Sequence, residues 1–521
     1  MNKTITKYIP SDTESLSFGN VTIFEVQIPE IIKVVQDLHE DKKLTLKLIT
    51  ATDERKENGC YKVWYVLGLP EENGFLVPYI QLKDMEEFPS LSPFMHEALG
   101  YEKRIKTFFG LKPVNNPDER PLILHENWPS NVYPLRKDFA WDSRPALASG
   151  SYEFQRVEGE GIYEIPVGPI HAGIIEPGHF RFSVAGEEIM LLEAKLGFVH
   201  KGSEKLFEKL PLAEKLRLSE KISGDSSFAH SLAFCQAVEQ LSDIKVPKRA
   251  RYLRVVYAEL ERLANHFGDI GAMMLDTGFN FGGSNGPRLR EMMMQINEKL
   301  TESRFLRGVN AIGGVKKDIM EEDAKFLSEN LKKISKDFSE VIEIAQNSSS
   351  LLNRLKSTGK LDRDVAICQG AMGMPARALG MAKDTRVDFP YAAYDELGIG
   401  VVATEQDGDA YARFLVRIKE VYGSVAIIQN ALRQLPDGEI ISKEDVVLKK
   451  NALAVNCVEG WRGEILYFVA TDSQGEISRV FPRDPSFINW SLLECAGPGN
   501  IVPDFPLINK SFNLSYSGND L

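Results

Sequence analysis

Two short stretches gather side chains able to hold a proton, a water or a cation: Ser223-Gly-Asp225-Ser226-Ser-Phe-Ala-His230 and Asp484-Pro-Ser486-Phe-Ile-Asn489. Their donors are hydroxyl, amide and carboxylate oxygens, which suit water or a hard cation and do not suit a soft metal. Asp225, Asp484, Ser486 and Asn489 would together make an all-oxygen lining, although two carboxylates are few for a flexible cation site. The same residues also fit helix starts. Asp225 and its serines precede an apolar stretch from Phe228 to Leu241, and Asp484-Pro485 places an N-cap before proline at the first helical position. A helix start with free N–H groups can in turn attract an anion or a carbonyl. Capping and ligand binding both stand at this point.

The elements that must position these stretches differ along the chain. Residues 1–110 alternate short β-type runs (Thr45–Thr50, Tyr61–Val66, Phe75–Leu82) with helical stretches near Pro29–His39 and Pro93–Phe108. That is an α+β pattern, small helices against an antiparallel sheet. Residues 111–165 are rich in Pro, Asn, Asp and Arg and show little periodicity, which reads as an extended surface connection. From 166 to 521 the texture is mainly helical. Between Pro247 and Leu275 the residues Leu253, Val256, Leu260, Leu263, Phe267 and Ile270 recur three or four apart, one face of an amphipathic helix. Glu322–Ala345 and Tyr411–Leu435 repeat the pattern, and together they imply a helical bundle. Ala452–Cys457, Ile465–Thr471 and Ile477–Val480 predict a small sheet near the C-terminal end.

A chain of 521 residues predicts about two to four domains. Its net charge of −12 argues against nucleic acid as a partner, because a basic face supplies most of that affinity. No apolar run reaches the roughly 18–20 residues of a membrane helix. The first residues lack a secretory h-region, which predicts a cytoplasmic protein. Cys60, Cys235, Cys368, Cys457 and Cys495 are scattered, with no zinc or iron-sulfur spacing between neighbours. They are expected to be reduced, buried and inert.

Three further runs occur in order in the first part: Tyr101-Glu-Lys-Arg-Ile-Lys-Thr-Phe-Phe-Gly-Leu111, Asn116-Pro-Asp-Glu-Arg-Pro-Leu122 and Tyr133-Pro-Leu-Arg-Lys-Asp-Phe139. They resemble the small hydrophilic subunit beside the quinone-site subunit of respiratory complex I, a docking piece without a cofactor. The second part carries Gly168-Pro-Ile-His171 through Glu176-Pro-Gly-His179-Phe-Arg-Phe182, and Leu196-Gly-Phe-Val-His200-Lys-Gly-Ser-Glu204-Lys205. Glu259, Glu261-Arg262 with His266, Arg377, Gly408-Asp409 with Arg413, and Trp461-Arg462-Gly463-Glu464 follow. This order resembles the shared family of complex I quinone-site subunits and group 4 nickel-iron hydrogenase large subunits. The fusion of both parts is similar to the formate hydrogenlyase type.

The resemblance implies a hydrogenase-large-subunit-like helical domain behind an α+β docking domain. The family pattern has cysteine at the positions of Ser223, Ser226, Ser486 and Asn489, and a serine hydroxyl is neither soft nor charged as a thiolate is. The chain therefore resembles the energy-converting hydrogenase-related subunits, with no nickel-iron centre expected. Glu204 stands where hydrogenases have a proton-relay glutamate, and burial would raise its pKa towards neutrality. The alternative is a salt bridge to Lys205 or Arg462. Arg462 stands where those enzymes have an arginine over the active site. A complex I-like quinone site would place a tyrosine at Gly224 and a histidine near Glu176 or Pro177, with His179 close by and His171 in the same loop. His171, His200 and His230 otherwise read as structural hydrogen-bonders. Lys221 stands where complex I has an arginine near the terminal iron-sulfur cluster. The implied partners are an iron-sulfur subunit, which would carry the electrons, and antiporter-like membrane subunits. A membrane-associated redox complex that moves protons or cations follows as the expectation, with a quinone-binding oxidoreductase subunit and a scaffold with a vestigial cleft as alternatives.

Overall fold

The structure is a computed structural model and describes residues 5–10, 13–171 and 175–521. Ala172–Ile174, within the Gly168–Phe182 motif, lie outside the described residues.

The N-terminal part forms the expected α+β region. Its long strands Thr45–Glu54, Cys60–Leu69 and Gly74–Lys83 make antiparallel neighbours, because alternate apolar residues face a helix while their backbones pair. The five-stranded sheet is mixed rather than antiparallel throughout, since Val21–Glu25 runs parallel to Gly74–Lys83. That pairing places the first hairpin at the far edge. Helix Leu99–Phe109 covers the sheet and buries Tyr101, Ile105, Phe108 and Phe109. Residues 115–161 contain no helix or strand, in keeping with their proline and polar content.

Helices Lys248–Asp276, Glu321–Gln346 and Ala410–Arg433 form at the three periodic segments and pack with Ser227–Leu241 into the helical region. Asn280–Thr301 is also helical although it contains Gly282, Gly283, Gly286 and Pro287. Small residues are required there: a Cβ on Gly271 of the preceding helix would stand 2.6 Å from the Gly286 Cα. Strands Leu453–Gly460, Gly463–Thr471 and Ile477–Arg483 form the C-terminal sheet. A second three-stranded sheet, Ile162–Val167, His179–Ala185 and Glu188–Lys195, opens the helical part. Among the described residues no helix is long and apolar enough to cross a membrane.

The two parts share one continuous apolar core. Phe75 stacks on Phe389 at 5.1 Å, and Tyr101 packs against Phe481 and Phe487. Buried charge crosses the same seam: Lys47 bonds Glu464 at 2.7 Å, and Glu464 also accepts from Arg483 at 2.5 Å. Deeper in the helical part Arg377 reaches Glu420 at 2.8 Å and Glu459 at 2.7 Å, while Arg386 bridges Asp384 and Glu259. The motif residues Glu259, Arg262, His266 and Arg377 thus belong to one buried ion network. Cys60, Cys235 and Cys457 are buried as expected, whereas Cys368 and Cys495 are exposed because they sit at helix ends on the surface.

These networks predict an acid transition. Burial opposes ionisation of Glu259 and Glu464, but Arg262 and Arg386 beside the first, and Lys47 and Arg483 beside the second, outweigh it and hold both at about 2. Each folded-state pKa lies below the ordinary glutamate value, so the stabilisation is complete above about pH 4.3 and is lost as pH falls towards 2. Near-UV circular dichroism is expected to collapse within that window. An unchanged tertiary signal at pH 2 would contradict the assignment.

Candidate functional site: a closed polar centre

Ser223–Ser226 forms a tight turn, with the Ser226 N–H donating to the Ser223 carbonyl at 3.0 Å, and helix Ser227–Leu241 follows. The expected capping by Asp225 or its serines does not occur. Glu261, projecting from the Lys248–Asp276 helix, accepts from the Phe228 N–H at 2.7 Å and the Ala229 N–H at 3.1 Å. Asp225 is unavailable as a cap because a stronger donor claims it. Burial pushes the Glu261 carboxyl up to about 8, against the pull of these two N–H groups. Glu261→Ala would leave two N–H groups of a buried helix start without an acceptor. A loss of about 1–2 kcal/mol is expected in denaturant unfolding, and an unchanged midpoint would show that the cap is dispensable.

Arg462 sits at the tip of the hairpin formed by Leu453–Gly460 and Gly463–Thr471. Its guanidinium donates to both Asp225 carboxylate oxygens, at 2.6 and 2.7 Å, and its Nε donates to the Asn513 carbonyl at 2.5 Å. The charge lies 3.9 Å from the Trp461 ring centroid, and the Trp461 indole N–H donates to the Asp225 carbonyl at 3.1 Å. Burial raises the cost of the Asp225 charge, but Arg462 outweighs it and, with the Ser223 hydroxyl, holds the carboxyl below its ordinary range. A forked pair of this kind fixes geometry as well as charge.

The four positions Ser223, Ser226, Ser486 and Asn489 are at most 2% exposed. Ser223 Oγ donates to Asp225 at 2.9 Å and lies 2.8 Å from Ser515 Oγ. The Ser515 N–H donates to Ser486 Oγ at 2.9 Å, so a residue of the C-terminal segment joins the two stretches. Ser226 Oγ reaches Asp225 at 3.5 Å. Asn489 turns away to the Met372 backbone, donating to its carbonyl at 3.1 Å and accepting from its N–H at 3.4 Å. The helix starts at Ser486 with Pro485 as its cap, one residue later than expected; Asp484, just before it, accepts from the Ser486 N–H at 2.8 Å and meets His230 Nε2 at 3.0 Å. His230 Nδ1 lies 3.1 Å from the Tyr467 hydroxyl, and this histidine is a structural hydrogen-bonder.

The all-oxygen lining is therefore divided. Asp225 faces Arg462, Asp484 faces His230, Ser486 faces the Ser515 backbone and Asn489 faces Met372. The void beside Asp225 and Glu261 measures only about 10 Å³, roughly the room of one water-sized sphere. Chemically, the centre binds its own groups to one another.

Glu204 lies elsewhere. It is paired with Arg104 of helix Leu99–Phe109, whose Nε donates at 3.0 Å, and with Arg479 at 2.5 Å. Neither Lys205 nor Arg462 is its partner, because Lys205 turns to the Arg136 carbonyl and Glu208, and Arg462 to Asp225. Nor is its pKa raised: burial favours the neutral acid, but the two guanidiniums outweigh it and push the pKa below its ordinary value. Of the two readings of Glu204, the salt bridge forms, but with Arg104 and Arg479 rather than Lys205 or Arg462, because folding brings those two distant arginines to the same place.

The remaining candidates stand apart. Lys221 is exposed at the mouth of the Ser223 turn, its carbonyl accepting from Lys201 Nζ at 2.6 Å. Gly224 is half-buried, and Arg307 donates to its carbonyl at 3.4 Å. His179 pairs with Lys195 at the hairpin base, 5.2 Å from the Phe154 ring, and its Nδ1 lies 3.3 Å from the Gly168 carbonyl oxygen. His171 packs near Phe180 and Tyr516, and burial lowers its pKa. The sequence reading missed Ser515, Glu261 as a cap, and Arg479. Arg104 was visible inside the Tyr101–Leu111 motif, but nothing local marked Ser515.

The family described as respiratory-chain NADH dehydrogenase, 30 Kd subunit, matches residues 24–145, and the 49 Kd subunit family matches residues 276–454. Hydrogenase-4 component G of Escherichia coli K12 is 34% identical, over 98% of this chain and 89% of the relative. Formate hydrogenlyase subunit 5 of the same organism is 34% identical over 95% and 88%. The C/D subunit of the NADH-quinone oxidoreductase of Phocaeicola vulgatus is 29% identical over 86% and 88%.

Proposed function

The chain belongs to the family of fused 30-kDa and 49-kDa-type subunits found in group 4 hydrogenases and complex I-like NADH-quinone oxidoreductases, and from that premise we propose that it is a subunit without a nickel-iron centre in a membrane-associated redox complex. Its electrons would be carried by an iron-sulfur partner subunit, and antiporter-like membrane subunits would move protons or cations. Attachment to the inner face of the cell membrane would be peripheral, through those partners. In this reading residues 1–110 dock, 111–165 connect, and 166–521 form a hydrogenase-large-subunit-like domain.

The observation that carries the proposal is the bonding at the four ligand positions. Ser223, Ser226, Ser486 and Asn489 offer neutral oxygen and amide groups already bonded within the chain. Such a set does not fit nickel or low-spin iron, which take soft anionic thiolates, and a serine would have to lose a proton of very high pKa. Among the described residues no cluster of three or more His, Cys, Asp or Glu is placed to hold a metal ion. The same internal bonding supports a packed centre over a quinone cleft there. Lys221, exposed beside the turn, is the proposed neighbour of the partner's cluster, and Glu204 is proposed as a fastening between the two parts.

Metal and quinone analysis of the natively purified complex tests this. Iron without nickel is expected. Nickel at one per chain would overturn the proposal, and quinone co-purifying in proportion to this chain would replace the packed centre by an acceptor site.

A further inference from the structure

A cavity of about 440 Å³ lies on the seam between the two parts. Helix Leu99–Phe109 and the turn before it form one side; strand Glu188–Lys195 and helix Ser486–Ala496 form the other. Its size falls in the range of small-molecule sites.

The charged groups around it are mostly spent on one another. Lys103 bonds Asp118 at 2.7 Å, Arg120 bonds Asp118 and Glu193, and Lys195 bonds Glu126. Glu97 and Glu494 have no ion pair among the described residues; Glu494 accepts from the Ala194 N–H at 2.7 Å, whereas Glu97 feels the charges of Lys383, Lys47 and Arg483 without pairing with them, and its Oε1 is buried without a hydrogen-bond partner. Gln369 Oε1 is likewise buried and unpartnered, its amide nitrogen being spent on Cys495 Sγ at 3.1 Å. The two acceptors share a wall, since a Cβ on Gly370, next to Gln369, would stand 2.5 Å from Glu97 Oε2. Phe487 adjoins that wall, 3.4 Å from where a Gly100 Cβ would stand, and Leu99, Ile488 and Trp490 continue the apolar lining. Two unmatched acceptors beside an apolar chamber call for a donor-rich head on an apolar body, because buried polar groups in folded proteins are as a rule paired.

We propose that this cavity binds a small organic cation, an amine or amidine carried on an apolar body, with its head group donating to Glu97 and Gln369. Burial pushes Glu97 up to about 7 in the unliganded chain, and a bound cation would draw the carboxyl back to its ionised form.

Benzamidine and the neutral benzyl alcohol, titrated separately into the full chain and followed by ligand-observed NMR and calorimetry, test the proposal. Benzamidine is expected to bind at least ten-fold more tightly. Glu97→Gln keeps the side chain's shape and is expected to erase that preference while the melting temperature stays near that of the parent. Gln369→Leu, which removes the second acceptor, is expected to weaken benzamidine alone and serves if Glu97→Gln fails to fold. Equal binding of the two probes, binding of neither at millimolar concentration, or an unaltered preference in a folded variant would overturn it.

Discussion

Glu204→Ala is expected to lower stability by about 3–5 kcal/mol, the range for removing one partner of a buried ion group. Arg104, Glu204 and Arg479 have side chains that are each 3% exposed. Without the carboxylate, two guanidiniums would remain buried beside each other with no counter-charge. The loss should fall first on the seam, because Arg104 belongs to the N-terminal sheet region while Glu204 and Arg479 belong to the helical part. Limited proteolysis should then cut the 111–165 connection before the helical region unfolds. Glu204→Gln keeps the volume and one hydrogen-bonding oxygen, so it should lose less than alanine but still weaken the seam. A glutamine variant that leaves stability and proteolysis unchanged while abolishing ion movement by the complex would refute the fastening and restore a proton relay.

Arg462→Leu is expected to cost about 1.5–3 kcal/mol, less than the Glu204 change because the Asp225 side chain is 31% exposed and keeps some contact with solvent. It would leave the half-buried Asp225 without its counter-charge and strip the Asn513 carbonyl of its donor. The Asp225 pKa would then rise, since Arg462 is what outweighs burial and holds it below the ordinary range. Arg462→Lys should recover only part of the loss, because an ammonium lacks the fork that meets both carboxylate oxygens and lies over Trp461. The double variant Asp225→Leu with Arg462→Leu should be more stable than the single arginine replacement, since no charge is then left unpaired. Urea midpoints for the parent, Arg462→Leu, Arg462→Lys, Asp225→Leu and the double variant decide it. If the double variant loses the sum of the two single losses, the two residues do not act as a pair.

The legible part of this protein was its local order. A three-or-four repeat marked Lys248–Asp276, Glu321–Gln346 and Ala410–Arg433 as helices, and apolar alternation marked the strands, because these elements close their hydrogen bonds among near neighbours. Asn280–Thr301 was not singled out, since glycines that weaken an isolated helix are what let this one meet its neighbour at Gly271. The oxygen chemistry of Ser223, Ser226, Ser486 and Asn489 was likewise readable from residue type alone. Which group each of them bonds was not. Ser515 lies 292 residues from Ser223, and Glu204 meets Arg104 across 100 residues. Burial by itself predicted a raised Glu204 pKa, and the two arginines reversed the sign. Element type follows from short-range periodicity that one strand of text contains; partner choice, and with it every charge state in this core, depends on which distant surfaces pack together, and only the tertiary structure fixes that.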